Sequence, residues 1–415
     1  MLTRLLAGSL LIAAALAGAA QAPAPGSPFT GPFVDLAAPP PARATVPNLA
    51  VDARGRVWLG WLEPREGGGH RFRLSSLDAG TRGAAPAWSA PVTLAEGPNL
   101  LANWADFPSV FVAADGTMAA HWLERGQTRG EYGIRLRTSA DGGRTWTAPV
   151  TPHRDPPAAA EHGFVSFFDA PGAGLGLIWL DGRDMAGGHG SPQGHGSMAL
   201  RSALVSNGVA GPEMLVDPKV CECCQTSAAR TADGVIVAYR DRSDGEIRDI
   251  AVSRFKNGAW FAPAIVHADD WQINGCPVNG PSVAAVGKDV AVAWYAAKGG
   301  EPKLQVAFSR NGAPFSAPVR ANSAVTYGRL ALVLAAADRA IVSSIERGES
   351  GAELVVREVR RDGRLSAPVV VGPMTADRSS GFARMVLAGR RLVIAWTHVR
   401  AGAPPAIQVR AVEVR

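Results

Sequence analysis

Trp88-Ser-Ala-Pro-Val92, Trp146-Thr-Ala-Pro-Val150, Trp260-Phe-Ala-Pro-Ala264, Phe315-Ser-Ala-Pro-Val319 and Leu365-Ser-Ala-Pro-Val369 are one signature written five times. Each copy follows strand-like alternation and a tight turn. A period of about 50 to 60 residues filled with short strands is the mark of a β-propeller. In that architecture the blades are scaffold, and function is carried by the loops around one end of the central channel.

Counting outward from the signature gives the blade number. Every repeat contains an apolar second strand that ends in an aromatic or polar pair. These strands are Val57-Trp-Leu-Gly-Trp61, Met118-Ala-Ala-His-Trp122, Leu175-Gly-Leu-Ile-Trp179, Val235-Ile-Val-Ala-Tyr239, Val290-Ala-Val-Ala-Trp294, Ile341-Val-Ser-Ser-Ile345 and Leu392-Val-Ile-Ala-Trp396. The expected fold is therefore an all-β, single-domain propeller of seven blades, with six as the alternative count. The last unit has three strands before Arg415, so Phe33-Val-Asp-Leu36 is expected to supply the fourth beside Ile407 to Val414. Closing the ring in this way removes the free edges that invite aggregation.

The ends of the chain read differently. Arg4, the apolar run Leu5 to Leu16 and the small residues up to Ala22 make residues 1–22 an expected secretory signal peptide. The run is too short to span a bilayer. Residues 23–41, rich in Pro, Ala and Gly, read as a linker leading into the closing strand, and 42–415 as the propeller. The protein is expected outside the cytoplasm, in the periplasm or secreted, as a monomer with no membrane-spanning segment. Its net charge of +6 rests on 37 arginines and five lysines spread along the chain. With no basic run or basic helix, nucleic acid is not an expected partner. An arginine-lined channel suits an anionic ligand instead.

Aligning the blades on their first strands puts Pro47, Pro108, Val165, Gln225, Pro281, Arg329 and Arg384 in one column at the channel mouth. Two positions earlier stand Thr45, Asp106, Gly163, Cys223, Asn279, Tyr327 and Phe382, with Glu161 and His162 nearby. The second strands end at Glu63, Glu124, Asp181-Gly-Arg183, Arg240-Asp-Arg242, Tyr295, Glu346-Arg347 and His398. This ring of arginines, carboxylates, a tyrosine and a histidine is the expected functional surface, Asp181 and Arg183 included among its ligand-binding candidates. The competing reading is that these charges pair with one another and merely line the channel.

Ser139-Ala-Asp-Gly-Gly-Arg-Thr-Trp146 matches the Asp-box, Ser-x-Asp-x-Gly-x-x-Trp, of sialidases and other propellers. The Asp is expected to accept backbone N–H groups, the Gly to take positive φ and the Trp to wedge between sheets. Across nearly all its mature length the chain resembles the sialidase-like Asp-box group. Within it, the chain is similar to exported bacterial proteins carrying segments of the form Cys221 to Thr226, Tyr239 to Ser243 and Asn274 to Pro281. That resemblance implies a three-arginine clamp on a carboxylate, a tyrosine nucleophile activated by a glutamate, and an aspartic acid that protonates the leaving group. Carried onto this chain, the clamp is Arg240, Arg329 and Arg384, and the catalytic group is Tyr327, Glu161 and Asp106. The Arg-Ile-Pro segment of the family's first blade is absent here. The implied activity is exo-acting hydrolysis of an anionic, sialic-acid-like glycoside, with no cofactor required.

Cysteines support a second reading. Cys221, Cys223 and Cys224 cluster, and Cys276 occupies the equivalent loop of the next blade, so a disulfide joining blades 4 and 5 is expected. Four cysteines allow three full pairings, and the connectivity stays open. The Gly-rich loop of blade 3 carries Met185, His189, His195 and Met198. Together with Cys223, Cys224 and His162 these form a candidate copper set, the chemistry of a non-catalytic periplasmic metal-binding propeller. A propeller serving only as a protein-interaction scaffold is the third reading.

Overall fold

The computed structural model describes residues 26–78, 86–127, 130–155, 160–185 and 196–415. The expected signal peptide and the candidate ligands His189 and His195 lie outside the described residues. Seven antiparallel sheets follow one another along the chain. Blade 1 runs Thr45–Val51, Val57–Pro64 and His70–Asp78, with Ala87–Trp88 and Val92–Gly97 sharing the outer edge. Blade 2 is Ser109–Val112, Met118–Arg125 and Tyr132–Ser139, its outer edge reduced to a bridge between Leu136 and Val150. Blades 3 to 6 begin at His162–Ala170, Ser227–Thr231, Ser282–Val286 and Thr326–Ala336, each continuing outward strand by strand. Blade 7 combines Arg384–Ala388, Arg391–His398 and Ala406–Glu413 with Val34–Asp35 from the other end of the chain. The closing strand has the expected register, with Val34 opposite Ala411 and Asp35 opposite Arg410.

Both faces of each second strand are covered by neighbouring blades, which is why these segments are continuously apolar rather than alternating. Trp61, Trp179, Trp294 and Trp396 are among the largest fully buried side chains. The recurrent aromatic of the Ala-Pro-Val signature does wedge backward: Trp146 packs into the core between blades 1 and 2, and Phe315 into that between blades 4 and 5. Trp260 Nε1 donates to Ser202 Oγ of blade 3 at 2.7 Å. Leu365, the shortest of the five, stays exposed.

The Ser139 to Trp146 turn is built as its residues require. Asp141 Oδ1 accepts from the amides of Arg144 (3.0 Å) and Thr145 (2.9 Å), and Oδ2 accepts from Thr145 Oγ1 (2.6 Å). These bonds, led by that from the Thr145 hydroxyl, hold the carboxyl well below the usual range. Among the described residues no helix is long and apolar enough to cross a membrane.

Candidate functional site

The seven innermost strands surround a cavity of about 230 Å³, lined by residues such as Asn48, Asp106, Gln225, Ser282 and Arg384. Polar side chains at its wall stitch one blade to the next. Asn48 Oδ1 accepts from Val110 N, Ser227 Oγ from Val283 N and Ser282 Oγ from Leu332 N, at 3.0, 3.0 and 3.1 Å. Two junctions near the mouth share one design. Asp106 Oδ1 accepts from Phe164 N at 2.7 Å, and Asn279 Oδ1 accepts from Arg329 N at 2.7 Å. Phe164 and Arg329 both have φ of 52°, and each follows a glycine that makes room for the carboxyl or amide. A Cβ on Gly163 would meet Asp106 Oδ2 at 1.9 Å, and one on Gly328 would meet Asn279 Oδ1 at 2.2 Å.

The two junctions diverge in what surrounds them. Asp106 stands behind a second pocket of about 280 Å³, lined by Trp104, Tyr132, Glu161, Glu222, Cys223, Cys276 and Arg378 among others. Ala105 and Phe164 line both cavities, so Asp106 sits at the partition between them. Its Oδ2 is buried without a well-formed hydrogen bond, with the Tyr132 side chain against it. Burial, aided by the nearby Glu161 charge, raises the Asp106 carboxyl to about 7, against the lowering pull of the Phe164 amide and the Tyr132 phenol. Burial and the charges of Asp106 and Glu161 push the Tyr132 phenol well above its ordinary value. Tyr132 is therefore neutral until a neighbouring base takes its proton. Glu161 is held by main-chain contacts: it bridges to Tyr132, and its carbonyl accepts from Gly182 N at 2.9 Å.

Of the expected trio, the structure brings Asp106 and Glu161 together and leaves Tyr327 elsewhere. Tyr327 packs against the apolar core of blades 6 and 7, and Tyr132 takes the place beside the two carboxylates. The expected arginine clamp is not assembled. Arg240 gives its N–H groups to the carbonyls of Asn279, Arg248 and Tyr295 and lies over Trp271, 4.9 Å from the ring centroid. Arg329 donates to the carbonyls of Asp377 and Ala376 and lies over Trp104. Arg384 faces the channel over Phe107, its guanidinium pulled down to about 10 by burial. A buried guanidinium carries five donors that need acceptors, and backbone carbonyls at blade ends supply them to Arg240 and Arg329.

Asp181 and Arg183 pair with each other. Arg183 donates twice to Asp181, at 2.7 Å each, and ion-pairs with Glu213, while Trp179 Nε1 donates to Asp181 Oδ2 at 2.8 Å. The same indole-to-carboxylate bond recurs at Trp61–Glu63 and Trp122–Glu124, both 2.9 Å. The carboxylates ending these second strands are partners of their own tryptophans. Burial opposes ionisation of Asp181, but Arg183 and His162 outweigh it and hold the carboxyl below its usual value.

The candidate metal set divides. Cys221, Cys223 and Cys224 are buried with their sulfurs within 4.8 Å of one another, and Cys276 comes up against Cys223. None of the four is in a disulfide, so the expected bridge between blades 4 and 5 is not formed in this structure, although Cys276 does come within reach of the triplet. His162 belongs to another cluster, stacked on His153 at 3.8 Å and facing Asp155 at 3.2 Å. Met185 and Met198 lie in the apolar core between blades 3 and 4, where thioethers fill space. Tyr132, Trp104, Arg378, His153 and Asp155 escaped the sequence reading. Tyr132 starts a third strand, and the alignment followed only first and second strands. Trp104 and Arg378 sit in loops just ahead of the first-strand starts of blades 2 and 7, the one signal that pointed to them.

No family model matches the chain, and no curated protein matches it. Solved structures do. The GH93 α-L-arabinofuranosidase of Fusarium graminearum in complex with arabinobiose is 12% identical, covers 92% of this chain and 97% of its own, and superposes with a TM-score of 0.50. NanB sialidase from Streptococcus pneumoniae is 10% identical over 87% of this chain and 83% of its own, with a TM-score of 0.49. At such identities the likeness is one of fold. What the chain has in hand is a seven-bladed propeller with a tyrosine and two carboxylates converging at one pocket beside the channel.

Proposed function

We propose that this protein is an exported glycoside hydrolase with Tyr132 as nucleophile. The observation that carries the reading is the convergence of Tyr132, Asp106 and Glu161, two carboxylates around one buried phenol. Asp106 lies against Tyr132 but behind the pocket wall, so it is the group placed to take the phenol proton. Its value of about 7 suits a base working near neutrality. Glu161 lines the pocket itself and is assigned to the leaving group. The carboxylate roles are thus exchanged relative to the sequence expectation.

In the proposed first step Tyr132 Oη bonds to the anomeric carbon as its proton passes to Asp106. Glu161, which enters this step protonated, gives its proton to the departing glycosidic oxygen as that bond breaks. Water then attacks the glycosyl-tyrosine, giving a proton to Glu161, and Tyr132 leaves with the proton held by Asp106. Both carboxyl groups return to their starting states. Arg378, in the pocket wall and 5.8 Å from the Trp104 ring centroid, supports a sugar bearing a negative charge. Glu222 in the same pocket demands that the charge be held on the Trp104 side.

Purified protein assayed with fluorogenic sialosides and arabinofuranosides tests the reading directly. Turnover of the sialoside, reduced about 10²–10⁴-fold in Tyr132→Phe, is the expected result. Hydrolysis of the arabinofuranoside alone would move the substrate class to neutral sugars. No turnover of any glycoside would overturn the assignment. Export is checked by the mass of the mature chain.

A further inference from the structure

The pocket that holds Tyr132 and Glu161 has a second wall, and it is sulfur. Cys221, Glu222, Cys223 and Cys224 form the turn that leads into the innermost strand of blade 4. Cys221 Sγ is 3.4 Å from Cys224 Sγ and 3.8 Å from Cys223 Sγ. Cys276, from the loop ahead of blade 5, sets its thiol against Cys223, and both line the pocket. Only Cys276 among the four is exposed; the others are 1, 8 and 2% exposed.

We propose that Cys221, Cys223 and Cys224, with Cys276 at their open side, form a binding site for a thiophilic d10 metal ion, Cu(I) or Zn(II). This inference is independent of the glycosidase reading. Metal–thiolate bonds of about 2.3 Å set the sulfurs of a tetrahedral site ~3.8 Å apart and those of a trigonal one ~4.0 Å apart. The Cys221–Cys223 spacing of 3.8 Å matches the tetrahedral edge, and the Cys221–Cys224 spacing of 3.4 Å falls a few tenths of an ångström inside it. An all-sulfur donor set selects Cu(I), Zn(II) or iron–sulfur chemistry over harder ions. One compact set of three sulfurs, with a fourth thiol beside Cys223, suits a single ion.

The surroundings are those of a site holding negative charge. Arg248 Nη1 approaches Cys221 Sγ at 3.3 Å and also binds Glu222 at 2.7 Å. Glu222 is fixed by Arg242 as well, and Arg242 is shared with Glu246. Two arginines therefore balance the adjacent carboxylates and leave one guanidinium edge for sulfur, a second shell that orients the ligand turn. Cys276 on the exposed side gives an approaching ion its first contact. The metal site differs from the sequence expectation in composition: it gathers Cys221 and Cys276 and leaves out His162, Met185 and Met198, while His189 and His195 lie outside the described residues.

The test uses the mature, tag-free chain, reduced under anaerobic conditions and titrated separately with Cu(I) against a competing chelator and with Zn(II). Retention of one equivalent of either ion per chain is expected, and the two arms identify which. Bound metal should also protect three or four cysteines from alkylation, read by mass spectrometry on unmodified wild-type protein, so the result does not depend on a variant folding. Cys221→Ser and Cys224→Ser should each weaken binding at least about 10-fold, and Cys276→Ser by less. Failure of the reduced protein to retain either ion would overturn the proposal. So would metal retention that survives in the Cys221→Ser/Cys224→Ser double variant, or alkylation of all four thiols at an equal rate with and without metal.

Discussion

Asp106 and Asn279 stand at the same structural position in different blades and do different things. Each side-chain oxygen caps the amide of a residue at φ 52° in the next blade at 2.7 Å, and each lies over a glycine. At Asn279 the second polar atom turns to the carbonyls of Pro277 and Tyr327 at 3.4 Å. At Asp106 the second oxygen is buried without such a partner and faces Tyr132. The scaffold needs one acceptor, and an amide provides it. A carboxylate where an amide suffices, placed beside a buried phenol and raised to about 7, is a feature that stability alone does not explain.

The sharpest way to break this comparison is to make the two sites alike. Asp106→Asn keeps the acceptor for Phe164 N and should fold, with a Tm close to that of the wild type below pH 4. If Asp106 takes the Tyr132 proton, turnover should fall about 10²–10⁴-fold. The converse change, Asn279→Asp, should leave turnover intact and cost about 1–3 kcal/mol, because it removes a buried donor and sets a carboxylate against carbonyls. An Asp106→Asn enzyme of wild-type activity would reduce Asp106 to another stitch between blades.

The next largest effect is on pH dependence. Asp106 binds its proton more tightly in the folded chain, at about 7, than at its ordinary value of 3.8. Its contribution to stability is therefore complete below pH 3.8 and is lost as pH rises through 7, on the order of 4 kcal/mol over that window. Tm of the wild type should drift down relative to Asp106→Asn between those limits. Turnover should do the opposite, rising as Asp106 deprotonates toward and above pH 7. Parallel Tm profiles for the two proteins would contradict the buried-carboxyl account.

The smallest effect concerns the two glycines. Gly328→Ala combines a contact at 2.2 Å with φ of 71° and should cost about 2–4 kcal/mol in denaturant unfolding. Gly163→Ala, without positive φ, meets first the Asp106 carboxyl and the Tyr132 ring. It should cost about 1–3 kcal/mol and depress turnover more than Gly328→Ala does. The reverse ranking in activity would place the working pocket near Arg329 instead.

The first-strand alignment placed Asp106 and Gly163 in adjacent blades of one column and Asn279 with Tyr327 in the same way, and the structure joins both pairs. It also put Cys223 and Cys276 in neighbouring loops, where their thiols meet. Where it failed, the reason was direction rather than position. Arg240, Arg329 and Arg384 were placed near the mouth, but the alignment carried no information on which acceptors their guanidinium groups would find. Tyr132 was missed because it opens a third strand, and strand order alone does not tell how far its ring leans over the blade edge.

By itself the sequence determined the seven-bladed ring, its closure by Val34–Asp35 and the turn around Asp141, because these depend on local period, turn chemistry and edge pairing, all written in contiguous residues. Only the tertiary structure decided which charges are partners and which face a pocket. Asp181 is consumed by Trp179 and Arg183, Arg240 by three carbonyls, and Asp106 is left with one oxygen against a phenol. That outcome depends on burial and on side-chain direction across blades distant in sequence, where a shift of a few ångströms exchanges one hydrogen-bond partner for another.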